Sequence, residues 1–430
     1  MKDIIKSVIV EFQQRELPLL KRRLINIRHD IPMITTLIGS RRSGKTYLLY
    51  QVVSKLYEQG IERRNVLFIN FEDDRLNFSS FTDLDLILQS FTELYPDIKL
   101  ADTYFFFDEI QNVNGWERFV RRIFDNYSKH IFVTGSNSRL LSTEIASSLR
   151  GRNVIYTVYP LCFKEYMDFL ETPYNIINPQ NRSLVLAQSK RFLTEGGFPE
   201  VIDFDYDTRI NVLQSYYNTM MYRDIVERYS IGDVSLFRFF LKKIFANITK
   251  PLSINKIYNE LKSQGYKVSN NYLYDYEQYV YAVFLCVAIS KFDFSEIKQL
   301  KSEKKTYAID TGLLGAIEFS MSQSFGKLLE NAVLLELIKA GKEVYYYKNK
   351  SECDFLIRNQ DGTLLPIQVS WNMTATTTNK RELKGIAEAC SNLSLSEGLI
   401  ITFDKKDNMV YNNLDINILP FYQWAYELRT

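Results

Sequence analysis

The sequence predicts an α/β protein, a parallel sheet covered by helices on both faces and followed by further helical and mixed units. Three observations point there. Four short β-branched or aromatic runs, Met33 to Gly39, Val66 to Phe71, Thr103 to Phe107 and Ile131 to Thr134, alternate with helical periodicity; strands buried on both faces read as such near-continuous apolar runs. A glycine-rich turn joins the first run to the helix after it. The length, 430 residues at roughly 150 per domain, asks for two or three domains.

Taken in order, Pro18 to Arg28 has helical spacing with a basic face, and Pro32 ends it. Met33 to Gly39 is the first strand, Thr46 to Tyr57 the helix after the turn, and Trp116 to Tyr127 a helix between the third and fourth strands. After Tyr159-Pro160 the composition becomes helical and Tyr-rich as far as Tyr229, broken at Gly196-Gly197-Phe198-Pro199. Ser235 to Phe245 reads as an amphipathic helix. From about Phe325 come a helix (Lys327 to Ala340), three strand-like runs (EVYYYK, CDFLI, LPIQVS) and a helix around Lys384 to Ala389. The predicted units are 1–160, 161–235, 236–320 and 321–430.

Composition excludes several classes. Lys plus Arg number 53 against 51 acids, so bulk charge alone does not coat nucleic acid, which leaves a local basic face. Cys162, Cys286, Cys353 and Cys390 stand far apart with only His29 and His130 to help, so they form neither a zinc cluster nor a disulfide framework, and buried thiols in a reducing cytosol are expected. The first residues meet acid and glutamine too early for a signal peptide. The longest apolar run, Tyr279 to Ile289, falls short of the roughly 18 residues of a spanning helix. A cytoplasmic protein without membrane attachment is the expectation.

The chemistry begins at Gly39-Ser40-Arg41-Arg42-Ser43-Gly44-Lys45-Thr46, which fits GxxxxGK[ST] between a strand and a helix. Gly39 and Gly44 let the backbone wrap a phosphate so that several N–H groups point inward at a helix N-terminus. These eight residues with Tyr47 are the expected nucleotide contacts: Lys45 reaches the β- and γ-phosphates of ATP, and the Thr46 hydroxyl ligates Mg²⁺. TYFFFDEIQ then delivers Asp108 and Glu109 to the carboxyl end of a strand, where open parallel sheets bind ligands. Asp108 holds the Mg²⁺ shell and Glu109 polarises the attacking water.

Thr134-Gly135-Ser136-Asn137-Ser138 ends the next strand, and Asn137, with Ser136 second, is placed to touch the γ-phosphate or the water; a turn built of small polar residues explains the segment equally well. Arg150 and Arg152 offer an arginine finger, in cis or across a subunit interface, against the alternative of ordinary surface arginines. The acids of Asn70-Phe71-Glu72-Asp73-Asp74 read better as a solvated loop.

GSRRSGKT, FFFDEIQ, VTGSNS, LRGR followed by YPLCFKEY, and GGFPE together resemble a prokaryotic family of AAA-type P-loop ATPases whose C-terminal domain is of the restriction-endonuclease-like type and unknown function. YAIDTGLL, KLLENAVLLEL and ECDFLI are similar to its second half. The resemblance implies a P-loop core, a helical lid over 161–235, a winged-helix-like module over 236–320 and an endonuclease-like α/β domain over 321–430.

From Arg238 to Lys305 twelve basic residues face six acids, a local +6. With Asn270, Asn271 and Tyr272 on a candidate recognition helix, Val268 to Tyr281, this module could grip DNA, although Asp275 and Glu277 on that helix oppose it; packing against protein is the rival use. A restriction-type site needs two acids for Mg²⁺ and a nearby lysine. Glu330 and Asp354 serve as acids, but Gln368-Val369-Ser370 stands where acid and lysine belong, so the chemistry is expected to be lost unless Lys348, Lys350 or Lys384 fills the gap. The expected function is Mg²⁺-dependent ATP hydrolysis coupled to change in modules that contact DNA, a protein partner or another copy. An ATP-gated nuclease and a slow-turnover regulatory switch are the rivals.

Overall fold

Five strands of five residues each, β1 (Ile34–Ile38), β2 (Val66–Asn70), β3 (Tyr104–Asp108), β4 (Ile131–Gly135) and β5 (Asn153–Thr157), run parallel in the order β2-β3-β4-β1-β5. The computed structural model of the chain describes residues 1–78, 80–137, 149, 151–317, 325–372 and 376–429, the side chains of 376–381 aside. Inner strands β1 and β4 are buried at every position, as their β-branched, largely apolar runs lead one to expect. Strand β5 lies at the sheet edge and is only half-buried; its run, Val154 to Tyr159, is β-branched and aromatic like the others, but it is not among the predicted strands.

Helices α1 (Lys2–Gln14), α2 (Lys45–Glu58), α3 (Asp85–Leu94) and α4 (Trp116–Asn126) accompany the sheet. One correction concerns the amino-terminal segment. Pro18 to Arg28 is not helical; the helix lies upstream in α1, which buries Ile5, Val8, Ile9 and Phe12 at the spacing of one helical face. The basic stretch stays irregular, with Arg23 drawn inward and its guanidinium donating to the carbonyls of Ser43 and Tyr159 at 2.9 Å each. Buried backbone acceptors that need a donor outweigh a helix whose charged face would gain only water.

Met1–Tyr159 with Ala282–Phe284 form one compact unit, and Pro160–Tyr281 with Leu285–Thr430 a second. The second opens with α5 (Phe163–Phe169), α6 (Pro179–Glu195) and α7 (Tyr206–Thr219), the last running into a π-helical stretch, Met220–Glu227. Then follow α8 (Val234–Ala246), β6 (Pro251–Leu252), α9 (Ile254–Ser263), α10 (Asn270–Ala282), β7 (Cys286–Ile289), α11 (Glu296–Lys301) and β8 (Lys304–Ala308), with β6-β8-β7 as an antiparallel sheet. Glu277 on α10 points inward and accepts from Tyr281 at 3.0 Å, so it does not oppose a ligand on that helix; Asp275 remains on the exposed face with Tyr272.

α12 (Thr311–Ile317) and α13 (Phe325–Lys339) precede a six-stranded mixed sheet, β13-β14-β12-β11-β10-β9, built from β9 (Glu343–Lys348), β10 (Glu352–Arg358), β11 (Leu364–Ser370), β12 (Glu397–Thr402), β13 (Asp407–Tyr411) and β14 (Leu414–Pro420). α14 (Thr376–Leu393) and α15 (Phe421–Glu427) complete it. One apolar core joins Phe163, Phe192, Tyr307, Leu334, Phe355 and Phe421 across these elements. Strand β9 also bonds to the segment after β7: the Phe292 N–H donates to the Tyr346 carbonyl at 2.8 Å. All four cysteines are buried and free, as expected. Among the described residues no helix is long and apolar enough to cross a membrane.

Candidate nucleotide site

Between Ile38 and Lys45 the chain must turn from strand to helix while keeping its amides directed inward. Gly39 is dictated by space: a Cβ there would lie 2.0 Å from the Val158 carbonyl oxygen. Arg42 (φ 64°) and Gly44 (φ 96°) adopt left-handed backbone, which turns successive N–H groups toward one concavity at the start of α2. Among the described residues the Ser40 and Ser43 hydroxyls are buried without a hydrogen-bond partner. Unpaired buried hydroxyls beside converging amides suit a ligand rich in acceptor oxygens, and phosphate is one.

Lys45, the first residue of α2, is 4% exposed. Its ammonium donates to the carbonyls of Gly39 (3.1 Å) and Ser40 (3.0 Å) and lies 3.3 Å from Glu109 Oε1. Parallel pairing of β1, β4 and β3 brings Asp108 and Glu109 beside the loop. The Thr46 hydroxyl donates to Asp108 Oδ2 at 2.8 Å. A hydroxyl and a carboxylate so placed are the donor types Mg²⁺ takes, so the residues present fit that ion.

Two residues outside the predicted set organise the acids. Thr134 donates its hydroxyl to Asp108 Oδ1 and accepts the Glu109 N–H at 2.9 Å. Gln111 donates to Glu109 Oε2 at 2.5 Å, and the Ser136 N–H reaches the same oxygen at 3.2 Å. Glu109 itself sits at φ 52°, a left-handed backbone that costs a non-glycine residue energy and is held here by those bonds. Burial, and then repulsion from Glu109, raises the Asp108 carboxyl to about 6. For Glu109 burial is also the largest influence and would raise it, but Lys45, Gln111 and Arg41 together hold it below the ordinary range.

Gly39, Ser40, Ser43, Gly44, Lys45, Thr46, Asp108 and Glu109 therefore converge. Asn137 is buried just beyond the end of β4, next to Ser136. Arg41 pairs with Glu72 at 2.8 Å, which gives one of the loop acids a partner, and Tyr47 is half exposed on α2. Arg152 is not brought to the site. It precedes Asn153, which pairs with Ile34 at the amino end of β1, a strand's length (roughly 13 Å) from the phosphate loop, and it binds Asp125 at 2.5 Å. A finger in cis is thus excluded by register. Arg150 lies outside the described residues.

In the second unit Glu330 on α13, Asp354 on β10 and Gln368 on β11 do come together, Gln368 Nε2 donating to Asp354 Oδ2 at 2.8 Å. Ser370 instead bonds the Asn372 carbonyl at 3.4 Å. The cation that enters this cluster is Lys305 of β8, not Lys350 or Lys384; Lys348 reaches only Glu352, at its rim. Among the described residues no group of three or more His, Cys, Asp or Glu side chains is arranged to hold a metal ion.

Comparison with known proteins agrees with this architecture. An AAA domain is matched over residues 32–167, and two domains of unknown function over 186–324 and 325–424. An uncharacterized protein of Methanocaldococcus jannaschii is 34% identical across 94% of this chain and 92% of its own. The chain belongs to that AAA-domain family. Another member-like relative, an uncharacterized protein of Haemophilus influenzae, is 30% identical over 81% of this chain and 85% of its own. Among solved structures, the Orc1 protein of Aeropyrum pernix in complex with DNA covers 73% of the chain and 90% of its own at 13% identity and TM-score 0.29. Cdc6p of Pyrobaculum aerophilum covers 70% and 87% at 14% identity and TM-score 0.27. This AAA-domain chain has the fold and the loop of a nucleotide-binding protein.

Proposed function

We propose that this protein hydrolyses the β–γ bond of ATP with Mg²⁺, and that the cycle alters the winged-helix-like and C-terminal modules that contact DNA or a protein. The observation that carries the reading is the buried Lys45–Glu109 pair, 3.3 Å apart, beside the Thr46–Asp108 hydrogen bond. The loop amides and Lys45 take the phosphate charge. Thr46 and Asp108 would hold Mg²⁺, which supplies charge neutralisation when bound. Glu109 accepts a proton from the attacking water and orients it.

The ion pair also times the base. Lys45 leaves Glu109 when it turns to a phosphate, and with that partner gone the burial of Glu109 is opposed by less positive charge, so the carboxylate becomes more basic. Substrate binding thereby unmasks the general base. Asn137, just past β4, positions the water or the γ-phosphate.

Glu109→Gln is expected to keep ATP affinity and to slow phosphate release by roughly 10² to 10⁴. Lys45→Ala is expected to lose nucleotide binding. Binding by fluorescent ATP and turnover by phosphate release check both; wild-type turnover in Glu109→Gln removes the base assignment, and wild-type binding in Lys45→Ala removes the site.

A further inference from the structure

The carboxylates of the C-terminal unit converge on a lysine from another element. Lys305, 1% exposed on β8, places its ammonium 2.6 Å from Glu352 Oε1, 3.4 Å from Glu330 Oε1 and 3.7 Å from Asp354 Oδ1. Each carboxylate nearby already faces at least one donor. Asp354 Oδ2 accepts from Gln368 Nε2 (2.8 Å) and the Val369 N–H (2.9 Å), Glu330 accepts from the Tyr307 hydroxyl at 2.9 Å, and Glu382 accepts from Gln368.

A restriction-type site asks for the reverse: free carboxylate oxygens about 2 Å from a divalent ion, which binds best with near-octahedral oxygen ligands. Here an acid position is a carboxamide with its N–H₂ turned toward Asp354 and Glu382, and an ammonium stands among the remaining carboxylates. The residues present do not fit the metal.

We infer that Lys305 is the resident cation of this pocket, its single charge offsetting carboxylate charge where a divalent ion would stand and so fastening the paired strands β7 and β8 to β10 and α13 without metal. Lys305 comes from β8, while Glu330, Glu352 and Asp354 come from α13 and β10. The inference is independent of the nucleotide reading, since the two sites share no residue.

The test is binding of Mn²⁺, measured by calorimetric titration and by thermal shift on the full-length, nucleotide-free protein. Wild type and Asp354→Asn are expected to respond alike to millimolar Mn²⁺, so that any uptake at the phosphate loop cancels in the comparison. Lys305→Ala is expected to gain an additional Mn²⁺ site and an upward Tm shift of several degrees, both lost in Lys305→Ala/Asp354→Asn. Mn²⁺ uptake by wild type that Asp354→Asn abolishes would overturn the inference. So would a folded Lys305→Ala with no new uptake. Should Lys305→Ala fail to fold, Lys305→Met supplies the same arm, and the comparison of wild type with Asp354→Asn decides by itself.

Discussion

Asp108 ends β3 with both oxygens bonded, one to Thr46 and one to Thr134, yet it is 1% exposed and next to a second acid. Its carboxyl therefore holds a proton to about 6, where an ordinary aspartate loses it near 3.8. The sign follows from proton binding. Between those two values the folded protein keeps a proton that the unfolded chain releases, so stability falls as pH rises through the window, and the full penalty is present above it. Asp108→Asn removes that penalty. The variant is expected to be more stable than wild type at pH 7 by about 1 to 3 kcal/mol, an advantage that vanishes below pH ~4, while hydrolysis is lost. Thermal unfolding at several pH values measures it; a variant less stable at pH 7 contradicts the burial argument. The residues that organise the two acids, Thr134 at Asp108 and Gln111 at Glu109, are ordinary residues in the sequence. Only the pairing of β3 with β4 tells Thr134 from any other strand threonine.

At the scale of elements, two motifs that look unrelated in the sequence prove to be halves of one joint. Asp310 sits just before α12, its Oδ1 accepting the Leu313 N–H at 3.0 Å in the manner of a helix cap, while Oδ2 accepts the Gly197 N–H at 2.7 Å. Gly196 has no room for a side chain: a Cβ would fall 2.0 Å from Asp310 Oδ1. The Gly-Gly-Phe-Pro turn and the Ala-Ile-Asp-Thr-Gly segment thus require each other. Asp310→Ala leaves two buried N–H groups unpaired and is expected to lower the stability of the second unit by about 2 to 5 kcal/mol, while ATP binding by the first unit persists. Unfolding followed by calorimetry with and without nucleotide separates the two effects; an unchanged second unit defeats the joint. The same scale explains the failed helix at Pro18 to Arg28. Helical spacing was present, but a carbonyl of the phosphate loop needed the Arg23 guanidinium, and that need lies 20 residues away in the chain.

For the whole molecule, the proposed coupling demands that nucleotide change more than its own unit. To swing a two-state equilibrium from 1:99 to 99:1, ATP must favour one state by about 5.5 kcal/mol. Hydrogen exchange is the measurement: ATP with Mg²⁺ is expected to protect the phosphate loop and also to alter exchange in α8 to β8, and a change confined to residues before 160 would end the coupling proposal. The parallel sheet, the phosphate loop and the acidic pair were legible in the sequence because each is written in consecutive residues or a fixed period, which local sterics and burial convert directly into structure. Edge strand β5 is not among the predicted strands, although Val154 to Tyr159 carries a β-branched and aromatic run. The identity of the cation in the C-terminal pocket was also beyond local reading. Lys305 stood among lysines counted as a basic surface, and its partners lie 25 residues away at Glu330 and 49 at Asp354. Where a charge goes when it is buried depends on which opposite charges the folded chain assembles around it, and only the tertiary structure decides that.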